Sequence, residues 1–284
     1  MSQFLTFLIA GLAVGLSYAL VGSGLVVVHR ITGIVNFAQG SLAVFGGLIA
    51  GSLLSGGLPH GVAEIAAVAI CAVVGAVFGI VAIGRPGTTP LISLVATLGL
   101  SVLAYAVIIL IWGDGSFSSA GVPGSVQFLG ATVQNHYFVV IGVAILTFAA
   151  LGFFFSRTDV GRAMTACASN PDAARMVGIN VRRMGLLAFA IAGGLGGLAG
   201  VVLTPLREVS YSSDVAFALY GFAAAVFGGL NSPWKTVIGG LVLGVVSLMV
   251  AGYVDASYQM AAALAAMLIV MVVRSGAMRM EEAK

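Results

Sequence analysis

The stretch "NPDAARMVGINVRR", residues 170–183, places Asp172, Arg175, Arg182 and Arg183 close together in a chain that is 60% hydrophobic and only 7% charged. Locally it reads as a short amphipathic helix with a firm stop. Asn170 suits the N-cap, Pro171 the first helical position, and Asp172 sets negative charge in the first turn. Ala173 and Ala174 favour helix and carry little bulk, and Gly178 is a C-terminal breaker. Charge spent so sparingly elsewhere marks this segment as a place where something outside the chain is met.

The remainder is read against that exception. Soluble domains carry about 25% charged residues, whereas these 284 residues hold 12 Lys+Arg and 9 Asp+Glu, with a mean hydropathy of +1.15. Such a surface cannot face water all round, so the expected fold is an all-α polytopic membrane protein, one transmembrane domain over residues 1–284. The pI near 9.1 reflects membrane topology and is not read as nucleic-acid binding. Cys71 and Cys167 show neither metal spacing nor a disulfide framework. The first thirty residues have no basic leader and too long an apolar run for a signal peptide, and read as a retained span.

A membrane helix needs about 20 apolar residues. Spans are expected near 4–28, 34–54, 62–83, 90–112, 137–156, 184–205, 236–254 and 257–274. A shorter run at 216–230 would cross, tilt, break or re-enter, giving eight to nine segments, some interrupted. With the N-terminus outside and nine crossings, the inside receives Arg30, Arg85, Arg157, Arg162, Arg175, Arg182, Arg183, Lys235, Arg274, Arg279 and Lys284, leaving Arg207 outside. That bias puts loop 157–183 and the C-terminus in the cytoplasm and loop 113–136, which has no Lys or Arg, on the other side. Glycines recur four apart at 11/15, 75/79, 193/197, 196/200 and 240/244, a spacing that lets membrane helices approach backbone to backbone.

Several functions are excluded. No G-x-x-x-x-G-K exists, since the two lysines, Lys235 and Lys284, follow Trp234 and Ala283. His29, His60 and His136 fall at span edges without a nucleophile partner, so no catalytic residue and no metal site is expected. Every carboxylate is placed near a span end or in a loop. Glu64 and Asp255 come nearest to membrane depth, so no proton relay is expected. What remains is a conduit without an engine: a passive channel, or a permease driven by separate subunits.

D-A-A-x-x-x-G (Asp172, Ala173, Ala174, Gly178) resembles the E-A-A-x-x-x-G coupling motif of ABC-importer permeases, with Asp for Glu. The stretch at 18–50, with Gly33, Asn36, Phe37, Ala38 and Gly40, is similar to the N-terminal signature of branched-chain amino acid permeases. Residues 161–202 and 226–246 resemble that family's coupling loop and its late Gly-Gly-Leu-x-S segment. The turn Asn231–Lys235 departs from the family's small residues. The resemblance covers about a third of the chain, in the family's order. It implies a bacterial inner-membrane importer subunit that binds no cofactor itself. Its expected partners are a second permease subunit, a homologous chain or a second copy, together with two cytoplasmic ABC ATPases that use ATP and magnesium, and an extracytoplasmic solute-binding protein. Solutes across that family include branched-chain and other amino acids, urea, amides and aromatic acids. Asn170, Pro171, Asp172, Ala173, Ala174, Arg175, Gly178, Arg182 and Arg183 would then couple to the ATPases.

For the translocation path, polar side chains and broken helices at depth are the candidates. Asn36, Gln39 and Ser41 stand beside glycines at the start of the second span; they either line the path or cap that helix. Thr97, Ser101 and Tyr105 form an i, i+4, i+8 stripe that either lines the conduit or bonds backbone carbonyls. Tyr220, Asn231 and Ser247 complete the set. Two rivals stand beside this reading: a sugar-type ABC permease of related fold, and a channel for small polar solutes such as urea, to which Asn36-Phe37-Ala38 and Asn231-Ser232-Pro233 bear a faint likeness.

Overall fold

In the computed structural model, which describes residues 2–84, 89–128 and 131–282, the chain is a helical bundle with one small hairpin. Arg85 and Lys284, counted above among the inner basic residues, lie outside the described residues. The helices are α1 (Ser2–Thr32), α2 (Gln39–Ser55), α3 (Val62–Ile83), α4 (Pro90–Trp112), α5 (Asn135–Arg157), α6 (Asp159–Ser169), α7 (Pro171–Met176), α8 (Val181–Leu203), α9 (Ser213–Phe227), α10 (Pro233–Tyr253) and α11 (Gln259–Glu282). The antiparallel strands β1 (Ser125–Phe128) and β2 (Ala131–Gln134) pair between α4 and α5. Among the described residues six helices are long and apolar enough to span a membrane, namely α1, α3, α4, α5, α8 and α10. The apolar parts of α2, α9 and α11 are shorter.

Glycine decides which helices touch. A Cβ on Gly15 would lie 2.5 Å from the carbonyl oxygen of Gly240, and one on Gly240 would lie 2.5 Å from that of Gly15. Gly11 and Gly244 face each other one turn further along the same crossing. On the other flank Gly75 meets Phe189 and Gly193, and Gly46 and Gly200 bring α2 against α8. Where lipid offers no hydrophobic drive, helices associate by dispersion between close surfaces, and only a missing side chain allows that approach. The recurrent four-residue spacings in the sequence are therefore two welded pairs, α1 with α10 and α3 with α8, joined by α2. Conversely α3, α4 and α5 present large apolar side chains outward, among them Ile65, Val73, Val102, Leu110 and Leu146, as a lipid-facing surface demands.

The two polar loops lie at opposite ends of α8. At its C-terminal end, Phe117 pairs with Val209 through two 2.8 Å backbone bonds, and His136 Nε2 lies 3.1 Å from the Val202 carbonyl oxygen. That fastens loop 113–136 to the 204–212 segment. At its N-terminal end sit α6 and α7.

Candidate translocation site and coupling loop

The short helices α2 and α9 begin inside the bundle rather than at its surface. Gln39, the first residue of α2, donates from Nε2 to the Ala192 carbonyl at 2.7 Å. Ala192 is residue 12 of the 23 in α8, counting from Val181, so α2 starts halfway along α8. Asp214, in the first turn of α9, accepts from the Ser101 hydroxyl at 3.5 Å. Ser101 is residue 12 of the 23 in α4, counting from Pro90. The two N-termini meet: a Cβ on Gly40 would strike the backbone of Asp214 and Ala218. Two helix N-termini with their positive dipole ends at mid-bundle form a polar locus in an apolar body.

Side chains at this locus make two adjacent hydrogen-bonded groups. Asn36 Nδ2 donates to Gln39 Oε1 at 3.2 Å, and Asn36 Oδ1 accepts from the Ala38 N–H at 3.2 Å. Ser41 shares a hydrogen bond with Ser101 at 3.1 Å and donates to Asp214 Oδ2 at 3.3 Å. Asp214 Oδ1 accepts from the Val215 N–H at 2.7 Å. Asn36, Gln39, Ser41, Thr97 and Asp214 are all buried. A buried carboxylate without a counter-ion is costly unless hydrogen bonds and dipoles hold it; here two hydroxyls, an N–H and a helix N-terminus do so. Beside it Tyr18 stacks on Tyr220, with ring centroids 4.3 Å apart and planes 9° from parallel. Arg207 donates from Nη1 to the Tyr18 hydroxyl at 3.1 Å, and its guanidinium lies 6.0 Å from the Phe217 ring centroid.

Of the residues singled out from sequence, Asn36, Gln39, Ser41 and Ser101 come together here. The Thr97 hydroxyl shares its one proton between the Leu94 and Val35 carbonyls, 2.9 and 3.1 Å away, and accepts from the Phe37 N–H at 3.4 Å, pinning the 33–38 connection to α4. Tyr105 is exposed, edge-on to Tyr211 at 5.2 Å. Asn231 is exposed in the α9–α10 turn, and Ser247 bonds the Gly244 carbonyl of its own helix. Asp214 corrects the expectation that every carboxylate sits near a surface. A hydropathy window cannot tell a helix that starts at depth from one that starts at the interface. The available signal was the shortness of the 216–230 run.

At the other end, the short helix expected to start at Asn170 and stop at Gly178 is α7, and a longer helix not expected from sequence precedes it. The longer helix there is α6, capped by Thr158, whose Oγ1 accepts from the Gly161 N–H at 3.0 Å. Then Asn170 Oδ1 accepts from the Asp172 and Ala173 N–H groups, both at 3.0 Å, and starts the six-residue α7. Gly178, at φ +84°, ends it: its N–H bonds the Arg175 carbonyl and the Ile179 N–H bonds the Ala174 carbonyl, each at 3.0 Å. That is the paired bonding of a Schellman stop, which requires a left-handed residue. Arg182 and Arg183 belong to α8, because Asn180 Oδ1 caps that helix at the Arg183 N–H. Ala174 is turned inward against Met164 and Cys167 and is not free for docking. The exposed tip is Met176 and Val177, 89% and 76% exposed, with Asp172 and Arg175 ion-paired at 2.7 Å beside it. Sequence reasoning passed over that apolar tip.

A glycine-welded membrane bundle with two half-length helices opening onto a buried polar locus, and a capped helical element projecting at one end, defines a transport permease. The chain matches the model for the "Branched-chain amino acid transport system / permease component" family over residues 7–273. It is 30% identical to the high-affinity branched-chain amino acid permease protein LivH of Escherichia coli K12, over 95% of this chain and 94% of that one. It is also 29% identical to the ribose import permease RbsC of Haemophilus influenzae, over 80% of this chain and 71% of that one. The solved chain from PsaBC of Streptococcus pneumoniae in complex with Fab has the same fold, with a TM-score of 0.54 at 16% identity over 95% and 91% of the two chains. The chain belongs to the branched-chain amino acid ABC permease family.

Proposed function

We propose that this chain is the transmembrane subunit of an ATP-driven importer for branched-chain or related amino acids. It lies in a bacterial inner membrane with the N-terminus outside and the C-terminus in the cytoplasm. All nine apolar helices cross, α9 by way of the re-entrant segment 204–212. The chain binds no cofactor. Two ATPases hydrolyse ATP with magnesium as cofactor, a second permease subunit completes the path, and an extracytoplasmic binding protein delivers solute.

The observation that carries this reading is the convergence of α2 and α9 at mid-bundle around Ser41, Ser101 and Asp214. An amino acid is a zwitterion, and a path for it needs polar groups of both signs at depth but no tight site. Hydroxyls, a carboxylate and two helix N-termini supply that. Asn36 and Gln39 hold the break that lets α2 start there. Arg207 reaches the same level of α1 from the outer segment. ATP binding closes the ATPases against α7. Its capped turn is rigid and packed through Ala174 onto α6 and α8, so it transmits that movement to the bundle, which alternates between outward and inward access.

The ribose permease relatives favour one second reading, sugar import on the same fold. Reconstitution of the complete assembly with the binding protein native to its own operon decides between them. ATP-dependent uptake of labelled leucine or valine supports the amino-acid reading. Uptake of ribose alone supports the second, and equal uptake without ATP returns the chain to the channel class.

A further inference from the structure

A cleft of about 890 Å3 opens at the α6–α7 end of the bundle, between the last turn of α1, the end of α3 and the start of α8. Its walls carry Arg30, Arg175 and Arg182 and, among the described residues, no carboxylate. Arg175 is ion-paired to Asp172. Arg30 and Arg182 have no salt bridge among the described residues. His29, also on the wall, has its Nδ1 buried without a hydrogen-bond partner. A buried ring nitrogen left unpaired is uncommon in a folded protein and marks the place of a missing partner. The start of α8 borders the same space, where Asn180, Val181 and Arg182 line it. Two guanidinium groups without salt bridges, on a wall with no described carboxylate, favour an anion with several acceptor oxygens, and an unpaired imidazole nitrogen beside them can serve it as a donor when it carries the proton.

The cleft also leads sideways. Ile83 is part of its wall, and beyond it Val77, Ile80 and Val81 of α3 and Leu91 and Ile92 of α4 are exposed, forming an apolar strip along the lipid-facing side. We infer that this cleft binds a phosphate group, presented by an anionic phospholipid whose headgroup enters among Arg30, Arg182 and His29 while its chains lie on the α3–α4 strip. Free phosphate shares the headgroup chemistry but leaves the strip uncovered. The inference rests on the bundle spanning a bilayer with the α6–α7 end at one surface. It is independent of the solute carried and of any coupling role for α7.

The test uses the full assembly in detergent, examined by native mass spectrometry with phosphatidylglycerol or phosphatidylcholine added. The wild-type assembly retains phosphatidylglycerol in preference to phosphatidylcholine. Arg30→Gln weakens that retention about fivefold, and adding Arg182→Gln weakens it about fivefold again, as expected for one basic group each at a membrane surface. Arg162→Gln, on the exposed face of α6 beside Asp159, leaves it unchanged. In a parallel arm, a rise in Tm with millimolar inorganic phosphate that Arg30→Gln abolishes assigns the site to the free anion. Should the double variant fail to assemble, Arg30→Gln alone carries the comparison. Equal retention by wild type and Arg30→Gln with no phosphate response overturns the inference. So does an equal loss in Arg162→Gln, which would reduce the effect to net charge.

Discussion

Replacing Gly178 with leucine tests the coupling assignment through backbone conformation alone. Gly178 sits at φ +84°, and a Cβ placed there would meet nothing within 4 Å. Steric crowding with neighbours therefore contributes nothing, and the whole cost is that of holding an L-residue left-handed, about 1–2 kcal/mol. That cost falls on a turn held by two 3.0 Å bonds, from Gly178 to Arg175 and from Ile179 to Ala174. If the ATPase docks on the closed turn, its apparent affinity drops by the same free energy, about 5- to 30-fold. Asparagine tolerates the left-handed region far better, so Gly178→Asn should sit much nearer wild type. The assay is solute-stimulated ATPase activity in the reconstituted assembly as a function of ATPase concentration, with uptake measured alongside. Wild-type behaviour of Gly178→Leu in both readouts removes α7 from the coupling path. Equal damage by Asn and Leu refutes the conformational reasoning and points instead to a surface that tolerates no side chain at all.

Gly240→Val should lower the stability of the bundle by about 1–3 kcal/mol, because its Cβ falls on the Gly15 backbone, which cannot swing away. Gly99→Ala, in open space on α4, should instead be neutral or stabilising by up to about 1 kcal/mol; thermal unfolding in detergent compares the two. Asp214→Asn keeps the size and one carbonyl acceptor but removes the charge, so uptake should fall while assembly persists, and undiminished uptake would take Asp214 off the path. Asn36→Leu, which removes the bonds to Gln39 and Ala38, should likewise slow uptake without loss of assembly. Burial pushes the Cys167 thiol up and Arg175 opposes that. Maleimide labelling of Cys167 should therefore be slow near neutral pH and rise with pH as thiolate forms. Arg175→Gln should slow it further, and faster labelling in that variant would contradict the sign.

The span positions were legible because lipid enforces one rule, a run of apolar residues long enough to cross. Residues 62–83 and 90–112 coincide with α3 and α4 to the residue. Asn170, Pro171 and Gly178 could likewise be assigned their places in α7 because capping is chemistry local to a few residues. Depth was not legible. Ser213–Phe227 looks in sequence like a short or tilted span, and only the contact of Asp214 with Ser41 and Ser101 reveals that it starts mid-bundle. The partition of 157–183 was missed for a related reason. In sequence, residues 157–183 read as one charged loop with a single short helix, whereas α6 and the start of α8 also lie there and α6 finds its apolar partners in other elements. Met164 and Cys167 face Ala174 and Ala188.

The glycine pairs and the polar locus are two sides of one physical constraint. A carboxylate at mid-bundle is tolerable only if its acceptors stay engaged, so the backbones around it must be positioned within a few tenths of an ångström. Side-chain packing between lipid-exposed helices offers no hydrophobic drive to do that. Direct backbone contact does: Gly40 against Asp214 and Gly22 against Gly221 are both approaches that a single methyl would block. These contacts surround the locus on α1, α2 and α9, the elements that bear Tyr18, Gln39, Ser41, Asp214 and Tyr220. On α4 and α5 two glycines, Gly99 and Gly142, have open space around them. Glycine within the membrane helices named here is therefore of two kinds. Where it abuts the locus, it fixes the helices whose relative movement would open a path. Where it faces lipid, it is free to change, and substitution should separate the two classes more sharply than sequence spacing does.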